Sequence, residues 1–430
     1  NGTVVTATWN GDLKTADVDE NGIETTYTYD AFNRVQTRTR KGVAAAFGFP
    51  AQPDIVTTYG YDAEGHVTSE TVSASGLTLT QGRTYDVAGR VKTETDTAGL
   101  VTTHTYTNGG RTETVTLPGG ATNITDNYLD GRPRSILGTA TVVQFFDYGV
   151  NGDSTPYTQE FIGSAGANSP RWTKTSLDWL GSTIKVEKPS FTAGSTTIKV
   201  SLYNVLGQLQ TESVMSGANK LKADMIYEYD GLGNRIRSGW DIDASGTLTL
   251  ASTDRIRDTY SVFQQNGSDW FKVTTQQTYL VDNNSTPTVF SVESERLNNF
   301  TVNGAEKTIS DVITTNVAGN QTRETVIVDR AAKKVTNRSD APTSATDSVK
   351  TAYNGLPQSS APAVAAAATT FTYDALARLV GTSDPATGNS TRVYNSTTGQ
   401  LSSESHGTQT TSYEYYSVSD PSAGRLKSKT

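Results

Sequence analysis

An all-β fold, one long antiparallel sheet of tandem hairpins, is what this sequence predicts, and three observations predict it. A seven-residue phrase returns from one end of the chain to the other. A second family of turns falls between its copies. The composition is low in apolar residues, 34% overall, yet holds 38 Gly and 20 Tyr among 430 residues, which suits a broad sheet with a wet second face.

The phrase is cleanest at Tyr85-Asp86-Val87-Ala88-Gly89-Arg90-Val91. Close copies begin at Tyr29-Asp30 (with Asn33 and Arg34), Tyr61-Asp62 (with Gly65 and His66) and Tyr373-Asp374 (with Ala377 and Arg378). Tyr229-Asp230 with Gly233, and Tyr203-Asn204 with Gly207, keep the same frame. Self-similarity of this kind sets the architecture before any single element is assigned. Each copy has the chemistry of a hairpin turn. The Asp can hydrogen-bond the backbone two residues on, and the next two residues suit a type I turn. The position after them needs a left-handed backbone to realign the returning strand. Gly65, Gly89, Gly207, Gly233 and Asn33 meet that need, whereas a left-handed Ala377 is strained by about 1 kcal/mol.

Asp19-Glu20-Asn21-Gly22, Asp96-Thr97-Ala98-Gly99 and Asp243-Ala244-Ser245-Gly246 repeat the D-x-x-G chemistry without the Tyr. Ser73-Ala74-Ser75-Gly76 and Asn316-Val317-Ala318-Gly319 are weaker versions. Thr- and Val-rich runs such as Leu100 to Tyr106 follow, strand-like by composition and alternation. The unit is strand, Tyr-Asp turn, strand, D-x-x-G turn. Tyr-to-Tyr spacings of 32, 24 and 21 residues from Tyr29 through Tyr61 and Tyr85 to Tyr106 fit two strands and two turns. The copies at Tyr106 to Arg111 and Tyr128 to Arg132 have drifted. Gly42 to Pro53 and Gly163 to Pro170 read as edge loops.

The expected organisation is a single repeat array over 1–430, a piece of a longer chain. Residues 240–350 read as degenerate repeats or an inserted β region, and 339–368, rich in Ser, Ala and Pro, as a long loop or linker. No helix-period pattern with caps appears, so no helix longer than about three turns is expected. The net charge of −8 argues against nucleic acid as the main partner. No run approaches the roughly eighteen apolar residues of a membrane span. Cysteine is absent, which excludes disulfide staples and fixes no compartment.

These motifs resemble the YD repeats of the Rhs and teneurin-like family over most of the chain. The resemblance implies one continuous antiparallel sheet spiralling into a hollow shell or barrel. In toxin-type members the shell encloses a C-terminal effector; in animal relatives it is part of an adhesion receptor. Toxin-type members carry a DPxGL-like segment near the end of the shell. Asp384-Pro385-Ala386-Thr387-Gly388 departs from it and reads as another turn.

Motifs for chemistry are missing: no nucleophile elbow, phosphate loop or H-E-x-x-H stands in the sequence. Of three His residues, His66 takes a repeat's Arg position and His104 sits in a strand run, both reading as exposed sheet residues; His406 is the third. Asp17 to Gly22 and Asp241 to Gly246 match the first half of a calcium loop, but Thr28 and Ser252 stand where it needs a bidentate Glu. Both read as plain turns.

The Arg after the turn residue (Arg34, Arg90, Arg111, Arg378) is expected to pair with the Asp and lie over a Tyr of the next hairpin. The other reading is a row of Arg that binds an acidic glycan. Likewise Tyr85, Tyr229 and Tyr373 are expected to be mostly buried as a packing ladder, rather than exposed as a sugar platform. The functional expectation is therefore a non-enzymatic wall segment, secreted or at a bacterial cell surface, with no catalytic, metal or cofactor site. Its partners are flanking repeats of the same polypeptide or identical neighbours, and an enclosed effector. A carbohydrate- or cell-binding module, or a self-assembling filament, are the alternatives. The uncharged first strand, Thr3 to Trp9, looks like an edge meant to be covered.

Overall fold

The computed structural model describes residues 5–19, 22–46, 50–166, 169–192, 194–297, 300–302, 306–329, 334–340, 348–353, 355–362 and 367–430. Among these, 36 strands follow one another from Thr6–Asn10 to Leu426–Lys429. Helix among the described residues is confined to 3-10 geometry, at Asn108–Gly110 and at Gly166. Strands pair antiparallel with their chain neighbours, giving a meander: Val67–Ala74 lies between Ile55–Tyr61 and Leu77–Tyr85. Two short strands, Asn219–Lys220 and Phe300–Val302, pair on one side only.

Each strand carries the chain once across the sheet, so alternate turns collect on opposite rims. From Tyr29 to Tyr229 the Tyr-Asp turns fall on one rim, together with the turn at Asp178 to Gly181, and the turn at Asp96 to Gly99 falls on the other. At every Tyr-Asp turn the register slips by one residue. Tyr85 pairs with Val91 while Thr84 pairs with Thr93, leaving Lys92 as an extra residue in the returning strand. The same bulge recurs at Tyr29, Tyr61, Tyr203, Tyr229 and Tyr373. A bulge sharpens the local right-handed twist, and its recurrence at these turns adds curvature to the sheet.

The curvature brings the sheet round on itself. Thr97 donates from Oγ1 to the Thr398 carbonyl (2.8 Å), 301 residues later. Gly424 packs so closely on Leu100 that a β-carbon there would stand 2.3 Å from Leu100 Cδ1, and one on Gly119 would stand 2.4 Å from the Pro421 carbonyl oxygen. The Tyr-Asp rim of the last hairpins thus lies on the D-x-x-G rim of residues 96–121.

Little core accompanies this winding. The accessible area is 24,405 Å², against about 16,000 Å² for a compact protein of 46.0 kDa. Ile226, Leu248, Ile256 and Tyr279 form one small buried cluster, and Ile23 with Val43 another.

Two expectations are corrected. Asp243-Ala244-Ser245-Gly246 is not a tight turn leading into a strand. Strand Arg235–Asp241 ends there and the next, Arg255–Asn266, starts after a loop whose Leu248 is buried in the first cluster. The Thr-Leu alternation of 247–250 fills that cluster instead of pairing. Residues 339–368 hold two paired strands, Ser348–Tyr353 and Leu356–Ala361, with Thr351 and Gln358 buried among them. Residues 341–347, 354 and 363–366 of that stretch lie outside the described ones, as do Asn1 to Val4, Glu20 and Asn21. Through 240–350 the strands pair on in order, from Arg237↔Asp258 to Thr336↔Thr351. The first strand, Thr6–Asn10, is exposed throughout and pairs only with Leu13–Val18.

Candidate functional site

The Tyr-Asp turn is a small device built from residues i to i+6, and its parts are the same wherever the phrase is intact. Asp86 Oδ1 accepts the N–H groups of Ala88 (2.9 Å) and Arg90 (3.0 Å), while Oδ2 accepts Arg90 Nε (2.8 Å). Asp30 does the same with Phe32 and Arg34, and Asp374 with Leu376 and Arg378. At Asp62 the partner is His66, through its N–H and Nδ1. At Asp230 it is Asn234, and Asn204 engages Gln208 in the same frame. One carboxylate therefore satisfies the turn's inward N–H groups and fixes the cation beside it.

The left-handed residue sits where the sequence puts it. Gly65, Gly89, Gly207 and Gly233 have φ of +96°, +74°, +76° and +87°, with Asn33 at +62° and Ala377 at +63°.

Successive turns are then tied together. The Arg34 guanidinium lies 4.4 Å over the Tyr61 ring, Arg90 4.2 Å over Tyr106, and Arg378 4.5 Å over Tyr394. His66 replaces the cation by stacking on Tyr85, centroids 4.6 Å apart. Each Tyr hydroxyl donates to the carbonyl just past the previous turn: Tyr61 to Val35 (2.7 Å), Tyr85 to Val67 (2.8 Å), Tyr229 to Leu209 (2.9 Å). Tyr29, Tyr203 and Tyr373 bond to Lys14, Thr183 and Pro357 in the same way. The ring bridges the rim where strand pairing has stopped. Tyr85, Tyr229 and Tyr373 are each more covered than exposed, in keeping with the expectation of mostly buried rings.

The drifted copies depart from this plan. Arg111 has no Asp in its own turn, because Thr107 stands there, and its Nε bonds to the Asn108 carbonyl (3.2 Å). Tyr128 donates forward to Phe146 (3.1 Å) instead of back toward Thr112.

Elsewhere the acidic groups collect in two places. Carboxylate oxygens of Asp241, Asp243 and Asp254 lie within 4.8 Å of one another, as do ligand atoms of Asp62, Glu64 and His66. Asp254 was not legible in the half-motif, since it stands two places past the expected ligand. Asp254 and Asp241 are buried, and both are already engaged by backbone: Asp254 accepts from Ile242 and Thr249, Asp241 from Ser245 and Gly246. Their first role is to hold the 242–254 loop. Asp17 is paired with Lys14, and Asp19 accepts the Ile23 N–H. His104 is not the exposed sheet residue expected. Its side chain is 14% exposed, wedged between Glu113 (2.8 Å) and Glu94 (3.7 Å). Asp384 accepts the Ala386 and Thr387 N–H groups, a turn like the rest.

The turn carboxylates are held below the ordinary Asp range: Asp86 and Asp130 by hydrogen bonds from Arg90 and Arg132, and Asp230 by the Asn234 amide. A depressed folded-state pKa stabilises above the unfolded value of about 3.9 and is lost as pH falls through the folded one. Unfolding midpoints in denaturant should therefore be flat from pH 7 to about 5 and fall below pH 4. The fall should be shallower in Asp86→Asn, and an equal fall in both would assign it to other carboxylates.

The family model described as RHS Repeat matches residues 10–44 and 85–122, stretches that contain the turns at Asp30 and Asp86. No curated protein matches the sequence. Among solved structures, the chain is similar to one described as "Crystal Structure of TcdB2-TccC3-Cdc42", at 10% identity, covering 92% of this chain and 24% of that one, with a TM-score of 0.27. For "Crystal Structure of TcdB2-TccC3" the figures are 10% identity, 96% and 30%, and 0.25. The chain spans less than a third of the length of either. One turn geometry recurs in both matched stretches and far beyond them, so the chain carries repeats similar to those of the RHS Repeat family.

Proposed function

We propose that this chain is a non-enzymatic length of wall in a secreted or cell-surface β-shell, which encloses or displays another part of its polypeptide. The observation that carries the reading is the winding: one rim settles on another about 300 residues along, in a sheet whose area far exceeds that of a compact protein of its mass. A one-layer sheet that curves and closes surrounds space. Its chemistry is spent on construction, since the repeated Asp, Arg and Tyr side chains engage one another and the backbone.

The test is protease protection in the natural polypeptide. Segments held within the wall should resist trypsin until the wall itself unfolds. Leu100→Asp, which places a charge in the rim contact with Gly424, should expose them while leaving the β-sheet circular dichroism unchanged. Enclosed segments cut as fast in the unaltered protein as in Leu100→Asp would overturn the proposal.

A further inference from the structure

We propose that the cavity beside Arg111 is a binding site for an acidic sugar, a uronate-bearing oligosaccharide. This does not depend on whether the wall encloses anything. At an intact turn the Arg has two neighbours, the Asp of its own phrase and the Tyr of the next. Arg111 lacks both. Thr107 occupies the Asp position, and Tyr128 has turned forward to Phe146, edge-on to Tyr148 with centroids 5.8 Å apart.

The space this leaves is a cavity of about 570 Å³, lined among others by Arg111, Tyr128, Arg134, Asp147, Tyr148 and Tyr157. That lies within the roughly 300–1,000 Å³ of small-molecule sites, which combine aromatic walls with a few convergent polar groups.

The charges define the ligand. Arg132, also in the wall, is held by Asp130 at 2.6 Å and covers the Tyr148 ring at 4.2 Å. Arg134 reaches Asp126 only at 3.4 Å and is 61% exposed. Arg111 has its single bond to a turn carbonyl. Two guanidinium groups are thus available to a carboxylate, the anion that their planar fork matches. Lys174, 4.0 Å from the centroid of the Tyr157 ring, adds positive charge to that wall. Asp147, exposed at the cavity, offers an acceptor for hydroxyl groups, and the Tyr rings offer apolar faces for a pyranose. Carboxylate, hydroxyls and an apolar ring face occur together in a uronate. A polyphosphate would meet Asp147 and a chain of net charge −8. A neutral sugar would leave the guanidinium groups unmatched.

Titration calorimetry on the 430-residue protein with trigalacturonate, and with maltotriose as the neutral counterpart, tests this. Trigalacturonate should bind at least tenfold more tightly, with an affinity that falls as salt is raised. Arg111→Ala should lose tenfold or more, and so should Thr107→Asp, which restores the carboxylate of the intact phrase. Neither change should lower the unfolding midpoint. No heat with trigalacturonate at millimolar concentration, equal binding of maltotriose, or undiminished affinity in stably folded Arg111→Ala would each overturn the proposal.

Discussion

Tyr85→Ala should lower the unfolding free energy by about 2–3 kcal/mol, at the lower end for an aromatic truncation because the ring is not fully buried. The loss has three parts. The ring leaves its stack on His66. The Val67 carbonyl loses its donor, worth about 1 kcal/mol for an ordinary hydrogen bond. The rim between two turns is left with a gap that nothing else spans, since strand pairing ends at Ser69↔Gly82. Denaturant unfolding of the variant measures the sum. The experiment also separates a packing ladder from a sugar platform. A ladder residue loses stability on truncation, whereas a platform residue loses ligand binding and keeps its midpoint. Glycan binding abolished in a fully stable Tyr85→Ala protein would overturn the structural assignment of the ladder.

Gly89→Val should be as damaging, by about 2–3 kcal/mol, because a β-branched residue at positive φ is strained on its own account. Gly89 has φ of +74°, and a β-carbon there would meet His66 Nε2 at 3.0 Å. The imidazole cannot retreat freely, since Nδ1 is held by Asp62 and one face by Tyr85. The converse change is Ala377→Gly. Ala377 already has φ of +63°, so relief of about 1 kcal/mol is set against the extra unfolded-state freedom of Gly, about 0.4–1 kcal/mol. Its midpoint should stay level or rise slightly. If the Gly89 variant were neutral while the Ala377 variant fell, the turn would be misplaced in both hairpins.

Much of this was legible in the sequence, and the legible part has a common character. The turns, their left-handed position, the Asp that organises them and the Arg beside it are interactions between residues no more than four apart. Such contacts need only the local backbone, so residue type and order suffice to read them. The Arg-over-Tyr contact was legible for a related reason. Hairpins of nearly equal length bring one turn beside the next, as Arg90 and Tyr106 show.

The sequence did not show that His104 would be wedged between two carboxylates, because burial depends on what the neighbouring strands place beside it. Nor did it show that the Thr-Leu run at 247–250 would fill a cluster rather than form a strand, or that Asp254 would reach Asp241. Both follow from a thirteen-residue loop folding back on the neighbouring strands. The forward turn of Tyr128 to the Phe146 carbonyl joins residues eighteen apart, and it depends on the placement of the next strand.

By itself, then, the sequence determined a meandering sheet with two chemically distinct rims. The tertiary structure alone decided that one rim would come to rest on the other. The contact of Gly424 with Leu100 is the sum of small twists and recurrent bulges over about 300 residues. No single turn carries that sum, so no local reading of the sequence contains it.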